Sequence, residues 1–130
     1  MERTILVVED TDVCRYSLEV ALTKLPGFAV RAVETAEQAL ECLAHEDIFA
    51  LITDLQLKRM DGFDLIDRVR ADATHAQLPI VVITGSTDPH ISDRLRHRGV
   101  SAIFPKPYSP AVVREKLEQL LRNAIQLDEQ

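Results

Sequence analysis

Residues 50–55 read Ala50-Leu51-Ile52-Thr53-Asp54-Leu55, an apolar run interrupted at its end by a single carboxylate. A short apolar run bounded by polar residues fits a strand covered on both faces, and such strands belong to parallel sheets sandwiched between helices. Asp54 then stands at the carboxyl end of a central strand, the edge at which open parallel sheets bind ligands. An aspartate in that place is either a helix cap or a working group.

Runs of the same kind recur on both sides of it. Arg3 to Glu9 is β-branched and apolar until Glu9-Asp10-Thr11-Asp12 stops it with residues able to cap a helix. Cys14, Leu18, Ala21, Leu22 and Leu25 then follow helical spacing, and Pro26-Gly27 ends that segment. Phe28 to Val33 predicts a second strand. Thr35 and Gln38 form a capping box before a helix that buries Ala36, Ala39, Leu40 and Leu43. The third strand spans about Phe49 to Asp54, and a short helix with Leu65, Ile66 and Val69 follows the loop Met60-Asp61-Gly62. Ile80 to Thr84 predicts the fourth strand, and Asp88-Pro89 opens a helix that carries Ile91 and Leu95 and closes at Gly99. Ala102-Ile103-Phe104 makes a brief fifth strand, placed at an edge because Pro105 has no amide hydrogen for a ladder. Ser109-Pro110 starts the last helix, whose apolar stripe is Val113, Leu117, Leu120, Leu121 and Ala124.

Strand and helix alternate five times, which predicts an α/β protein: a three-layer, doubly wound, five-stranded parallel sheet of order 2-1-3-4-5. A chain of 130 residues, 46% hydrophobic and 28% charged, is sized for one domain over 1–130. There is no apolar run of membrane-spanning length, and Met1-Glu2-Arg3 enters the first strand without a signal-peptide pattern, so a cytoplasmic location is expected. Cys14 and Cys42 fall in helical patterns and read as small packing residues. A net charge of −6 argues against direct nucleic-acid binding. The acid is concentrated early: residues 1–84 hold 8 Lys+Arg against 15 Asp+Glu, and residues 85–130 hold 7 against 6. Arg94, Arg96, His97 and Arg98 read first as a solvated helix face.

In the order 2-1-3-4-5 the strands ending at Glu9-Asp10, Asp54, Thr84 and Lys106 are neighbours, so these groups converge on one crevice. Clustered carboxylates repel, and protonation or a cation must relieve them. An all-oxygen site suits Mg²⁺, with Asp10 and Asp54 as the expected direct ligands and Glu9 binding directly or through water. A carboxylate that meets phosphate beside a divalent ion can act as a nucleophile and form an acyl phosphate. Lys106 and Thr84 would then contact the phosphoryl oxygens.

With those motifs in hand, Ile5-Leu-Val-Val-Glu-Asp10, Asp54-Leu-Gln-Leu-Lys-Arg-Met-Asp-Gly62, Val82-Ile-Thr-Gly85 and Pro105-Lys-Pro107, the chain resembles the CheY-like receiver domains of two-component response regulators along nearly its whole length. The resemblance implies that Asp54 accepts a phosphoryl group from a histidine kinase or a histidine phosphotransfer protein. It implies that the backbone carbonyl of Gln56 joins Glu9, Asp10 and Asp54 around Mg²⁺, and that Thr84 and Lys106 contact the phosphoryl group. It further implies a cis Lys106-Pro107 bond and an influence of Gln56 and Gly85 on acyl-phosphate lifetime. Three residues before the lysine the family commonly has Phe or Tyr, and this chain has Ile103. Phe104 is in the wrong register to replace it. The loop after Asp54 has Leu57-Lys58 where the family usually has Met-Pro.

Haloacid-dehalogenase phosphatases also place an aspartate at a strand end, but their motif resembles Asp-x-Asp and here Gln56 takes the second position. A flavodoxin-like cofactor protein would need phosphate donors where Glu9-Asp10-Thr11-Asp12 stands. The expectation is therefore a signalling phosphoacceptor rather than an enzyme, with a phosphorylation-independent pseudo-receiver as the alternative. The fourth helix, fifth strand and fifth helix, with Arg94, Arg98 and Arg114, form the expected face for a downstream protein. The spacing of Val113, Leu117, Leu120, Ala124 and Leu127 hints at extension of the last helix through about 122–127, or at a homodimer.

Overall fold

The computed structural model describes the backbone of residues 3–129 and the side chains of residues 3–123. Its elements in chain order are β1 (Arg3–Val8), α1 (Asp12–Leu22), β2 (Phe28–Val33), α2 (Ala36–His45), β3 (Ile48–Asp54), α3 (Gly62–Ala71), β4 (Ile80–Thr84), α4 (Pro89–His97), β5 (Ala102–Pro105) and α5 (Pro110–Glu129). The strands form one parallel sheet of order β2-β1-β3-β4-β5, the predicted winding. β5 is an edge strand, and Pro105 pairs with Thr84 at its end.

Because successive strand residues face opposite ways, each strand feeds two cores. Leu6, Leu51 and Val82 pack with Ala39 and Leu43 of α2, Leu65 and Ile66 of α3 and Leu95 of α4. Ile5, Ile52 and Val81 pack with Leu18 and Leu22 of α1 and Val113 and Leu117 of α5. Each of these leucine, isoleucine and valine side chains, when withdrawn fully from water, contributes about 1.5–3 kcal/mol. The two-sided burial explains why the central strands read as continuous apolar runs. Ile103 enters the first core and Phe104 the second, as their alternation requires.

The helix signals carry over closely. Thr35 and Gln38 make both bonds of the capping box. Asp88 accepts from the His90 amide with Pro89 in the first turn, and Gly99 takes a positive φ of 72° just past α4, a conformation that costs a residue with a Cβ about 1 kcal/mol or more. Four readings change in detail. β1 ends at Val8, and Thr11 caps α1 by position without a side-chain bond. Leu40, Cys14 and Cys42 are only partly buried. A 3-10 turn over Ala73–His75, seeded by Asp72 accepting from the Thr74 amide, went unpredicted because three residues carry no periodicity. Ala124 and Leu127 lie outside the described side chains, although the α5 backbone runs through 122–127.

Contacts distant in sequence brace α4 to α3. Arg70 donates to the carbonyls of His75, Leu78, Arg98 and Gly99 at 2.8–3.0 Å. Arg94 and Arg98, one turn apart, stack on the Phe63 ring at 3.9 and 4.9 Å from its centroid. Arg98 also pairs with Asp67 at 2.7 Å. Both guanidinium groups are thus directed at α3, while Arg94, Arg96 and His97 stay exposed as a solvated face requires, so the reading is amended only for the contacts of Arg94 and Arg98.

Candidate functional site

The carboxyl edge of the sheet collects the groups that the strand order places there. Ligand oxygens of Glu9, Asp10 and Asp54 all lie within 4.8 Å of one another. Glu9 and Asp54 are almost wholly buried, while Asp10 is half-buried. Asp54 Oδ1 accepts from the Gln56 amide at 2.9 Å, and Oδ2 accepts from Lys106 Nζ. The ammonium arrives because the Lys106 amide continues the ladder to the Thr84 carbonyl at 2.9 Å. The Lys106-Pro107 bond is cis, as the resemblance implied.

Glu9 is held at three points. Its amide donates to the Val33 carbonyl at 3.0 Å, its Oε1 accepts from the Thr11 amide at 3.0 Å, and its own carbonyl accepts from Arg15 Nη1 at 2.9 Å. Glu9 Oε2 is buried and has no hydrogen-bond partner. Burial pushes the Glu9 carboxyl above its ordinary pKa; the Thr11 amide pulls it back in part, and the charge of Asp54 raises it further. Burial pulls the Lys106 ammonium down, but its hydrogen bond to Asp54 and the charges of Asp54 and Glu9 outweigh that and leave it raised. Asp10 is not the cap of α1; its Oδ1 meets only the Thr11 hydroxyl, at 3.5 Å.

Thr84 is buried, and its Oγ1 accepts from the Ser86 amide at 3.1 Å. Gln56 and Gly85 face one another across the rim: a Cβ on Gly85 would stand 3.9 Å from Gln56 Oε1. Ile103 pairs with Val82, two positions back from the Thr84 level, and lies partly buried against the core on that face of the sheet. Arg15 escaped the sequence reading; an arginine six residues beyond a strand-end acid, at the first turn of the following helix, is the signal that could have found it.

Three carboxylates against one ammonium leave two negative charges, the charge of one divalent ion. The donors are all oxygen, and one buried oxygen is unused. That set fits a hard divalent cation.

A five-stranded doubly wound sheet with an acidic crevice at its carboxyl edge defines the class to which the comparisons point. The family model for the response regulator receiver domain matches residues 5–118, and the chain belongs to that family. It is 32% identical over 118 residues to a chemotaxis protein CheY homolog of Campylobacter jejuni, covering 90% of this chain and 91% of that one. It is 35% identical over 118 residues to chemotaxis protein CheY1 of Helicobacter pylori, covering 90% and 95%. Among solved structures, a response regulator receiver protein from Pseudomonas putida superposes with a TM-score of 0.82 at 31% identity, covering 92% and 98%. The Glu9, Asp10 and Asp54 cluster matches the phosphoacceptor site expected of a receiver, and as a receiver the chain is a signalling phosphoacceptor rather than an enzyme with a diffusible substrate. Among the described residues, no helix is long and apolar enough to cross a membrane.

Proposed function

We propose that Asp54 takes a phosphoryl group from the phosphohistidine of a histidine kinase or phosphotransfer protein, in the presence of Mg²⁺, and that the acyl phosphate switches binding of a downstream protein. The observation that carries this reading is the unpartnered, buried Glu9 Oε2 beside Asp10 and Asp54. A buried carboxylate oxygen without a donor is costly unless a cation meets it. Glu9, Asp10, Asp54 and the Gln56 carbonyl would hold Mg²⁺, which when bound would offset charge on the phosphoryl oxygens.

In the transfer, a carboxylate oxygen of Asp54 attacks phosphorus while the phosphorus–nitrogen bond to the donor imidazole breaks, and the imidazole leaves with the bonding pair. Gln56 N–H and Lys106 hold the carboxylate in a single orientation beforehand. Lys106 then exchanges Asp54 for a phosphoryl oxygen, and the Thr84 hydroxyl turns from the Ser86 amide to another. Gln56 and Gly85, at the rim, set how water approaches the acyl phosphate. On this reading the reaction is cytoplasmic, where a histidine kinase would present its phosphohistidine. The downstream protein, or a second copy of the chain, docks on α4, β5 and α5, and nucleic acid is not bound directly.

Acetyl phosphate with Mg²⁺ is expected to label the protein, and D54A to abolish the label; label that persists in D54A refutes the nucleophile. A pseudo-receiver that signals without phosphorylation is the second reading, favoured by Ile103, whose partly buried aliphatic side chain packs against the core where the family commonly has an aromatic. Partner affinity that does not change with a beryllofluoride mimic decides for it.

A further inference from the structure

Arg15 is a mostly buried cation beside a site that calls for a cation of its own. Its side chain is 18% exposed. One arm, Nη1, donates to the Glu9 carbonyl at 2.9 Å. The other, Nη2, meets Asp12 Oδ1 and, at 3.5 Å, Glu34 Oε1. The guanidinium thus ties the loop after β1 to the first turn of α1 and to the loop after β2. On the far side of that loop, Glu34 and Thr35 donate their amides to Gln38 Oε1 at 2.9 and 3.1 Å, so the second anchor is itself fixed by the α2 capping box. The positive charge of Arg15 is met by two carboxylates of its own, and what reaches Glu9 is a directed hydrogen bond to its backbone.

We propose that Arg15 is a positioning residue for the metal site: it fixes the Glu9 peptide so that Oε1 is held by the Thr11 amide and Oε2 stays free for a divalent cation. The inference rests on the metal reading given above. A planar guanidinium can serve the carbonyl and both carboxylates at once, whereas a lysine ammonium is a point donor on a flexible stem. Groups that orient ligand residues without touching the metal typically affect affinity about 10- to 100-fold.

Charge and geometry make opposite forecasts here. Removing a positive charge near a divalent cation tightens its binding; releasing the Glu9 peptide loosens it. Mg²⁺ titrations by calorimetry at fixed ionic strength on the parent, R15M and R15K read the difference. The positioning role expects Mg²⁺ about tenfold weaker in both variants. R15M that binds Mg²⁺ as tightly as the parent or more so, or R15K that matches the parent, overturns it. Where R15M lacks the parent's circular dichroism, R15K alone decides, since a charge-only role leaves it at parental affinity. A parent that takes up no Mg²⁺ refutes the metal reading itself, an outcome distinct from variants that bind as the parent does.

Discussion

Replacing Gly62 by alanine is expected to destabilise the protein, although glycine to alanine at the start of a helix ordinarily does the reverse. A Cβ built at Gly62 lies 2.6, 2.7 and 2.9 Å from the O, Cα and C atoms of Leu55. Carbon atoms pack best at about 3.5–4.0 Å, so the overlap approaches 1 Å. Every atom struck is backbone, and no rotamer change relieves it. The loop between β3 and α3 has to open, straining the Gly62 N–H bond to the Leu55 carbonyl, now 2.9 Å. Overpacking of this kind costs about 1–3 kcal/mol and the strained bond about 1 kcal/mol, against about 0.4–1 kcal/mol recovered from the restricted unfolded chain. The net loss is about 2 kcal/mol. With a urea m-value of about 2 kcal/mol/M, the unfolding midpoint falls by about 1 M. G85A is the control: its Cβ meets nothing nearer than 3.9 Å, and a change within about 0.5 kcal/mol is expected. Because Leu55 adjoins Gln56, G62A should also weaken Mg²⁺ binding. A midpoint for G62A at or above the parent's refutes the close-approach reasoning.

Glu9→Gln removes the buried, unpartnered charge. Burial holds the folded Glu9 pKa above its ordinary value, so the stability it contributes is full below that ordinary value and is lost as pH rises through the folded pKa. Metal-free protein should therefore lose stability across that interval, E9Q should flatten the loss, and Mg²⁺ should no longer raise the melting temperature of E9Q; an unchanged pH slope in E9Q contradicts the assignment. Arg70→Ala strips donors from four carbonyls, and a loss of about 2–3 kcal/mol is expected in urea unfolding. Faster amide exchange should appear around Arg98 and Gly99, and uniform exchange across α4 argues against the brace.

Two chains of contact join the carboxyl edge to α4. Gly62 brings α3 against Leu55, and Phe63, next in sequence, carries the stacked guanidinium groups of Arg94 and Arg98. On the other side, the Thr84 hydroxyl accepts from Ser86, whose Oγ accepts from the amide of Asp88, the residue that caps α4. Both paths reach α4 without an aromatic at position 103.

The sequence by itself determined the sheet and the composition of its crevice. Two-sided burial leaves each central strand as an unbroken apolar run, local capping chemistry marks the helix starts, and parallel strands joined by right-handed crossovers allow few orders, so Glu9, Asp10, Asp54, Thr84 and Lys106 could be placed together from their positions at strand ends. Only the tertiary structure decided which atoms of those residues remain free. Glu9 Oε2 is left unpartnered because Thr11, Val33 and Arg15, on three different segments, occupy the rest of that residue. The Arg70 brace spans up to 29 residues and the Phe63 stack joins two helices. Long side chains reaching backbone carbonyls obey no sequence period, since the acceptor is common to every residue and only the packed fold selects which carbonyl is within reach.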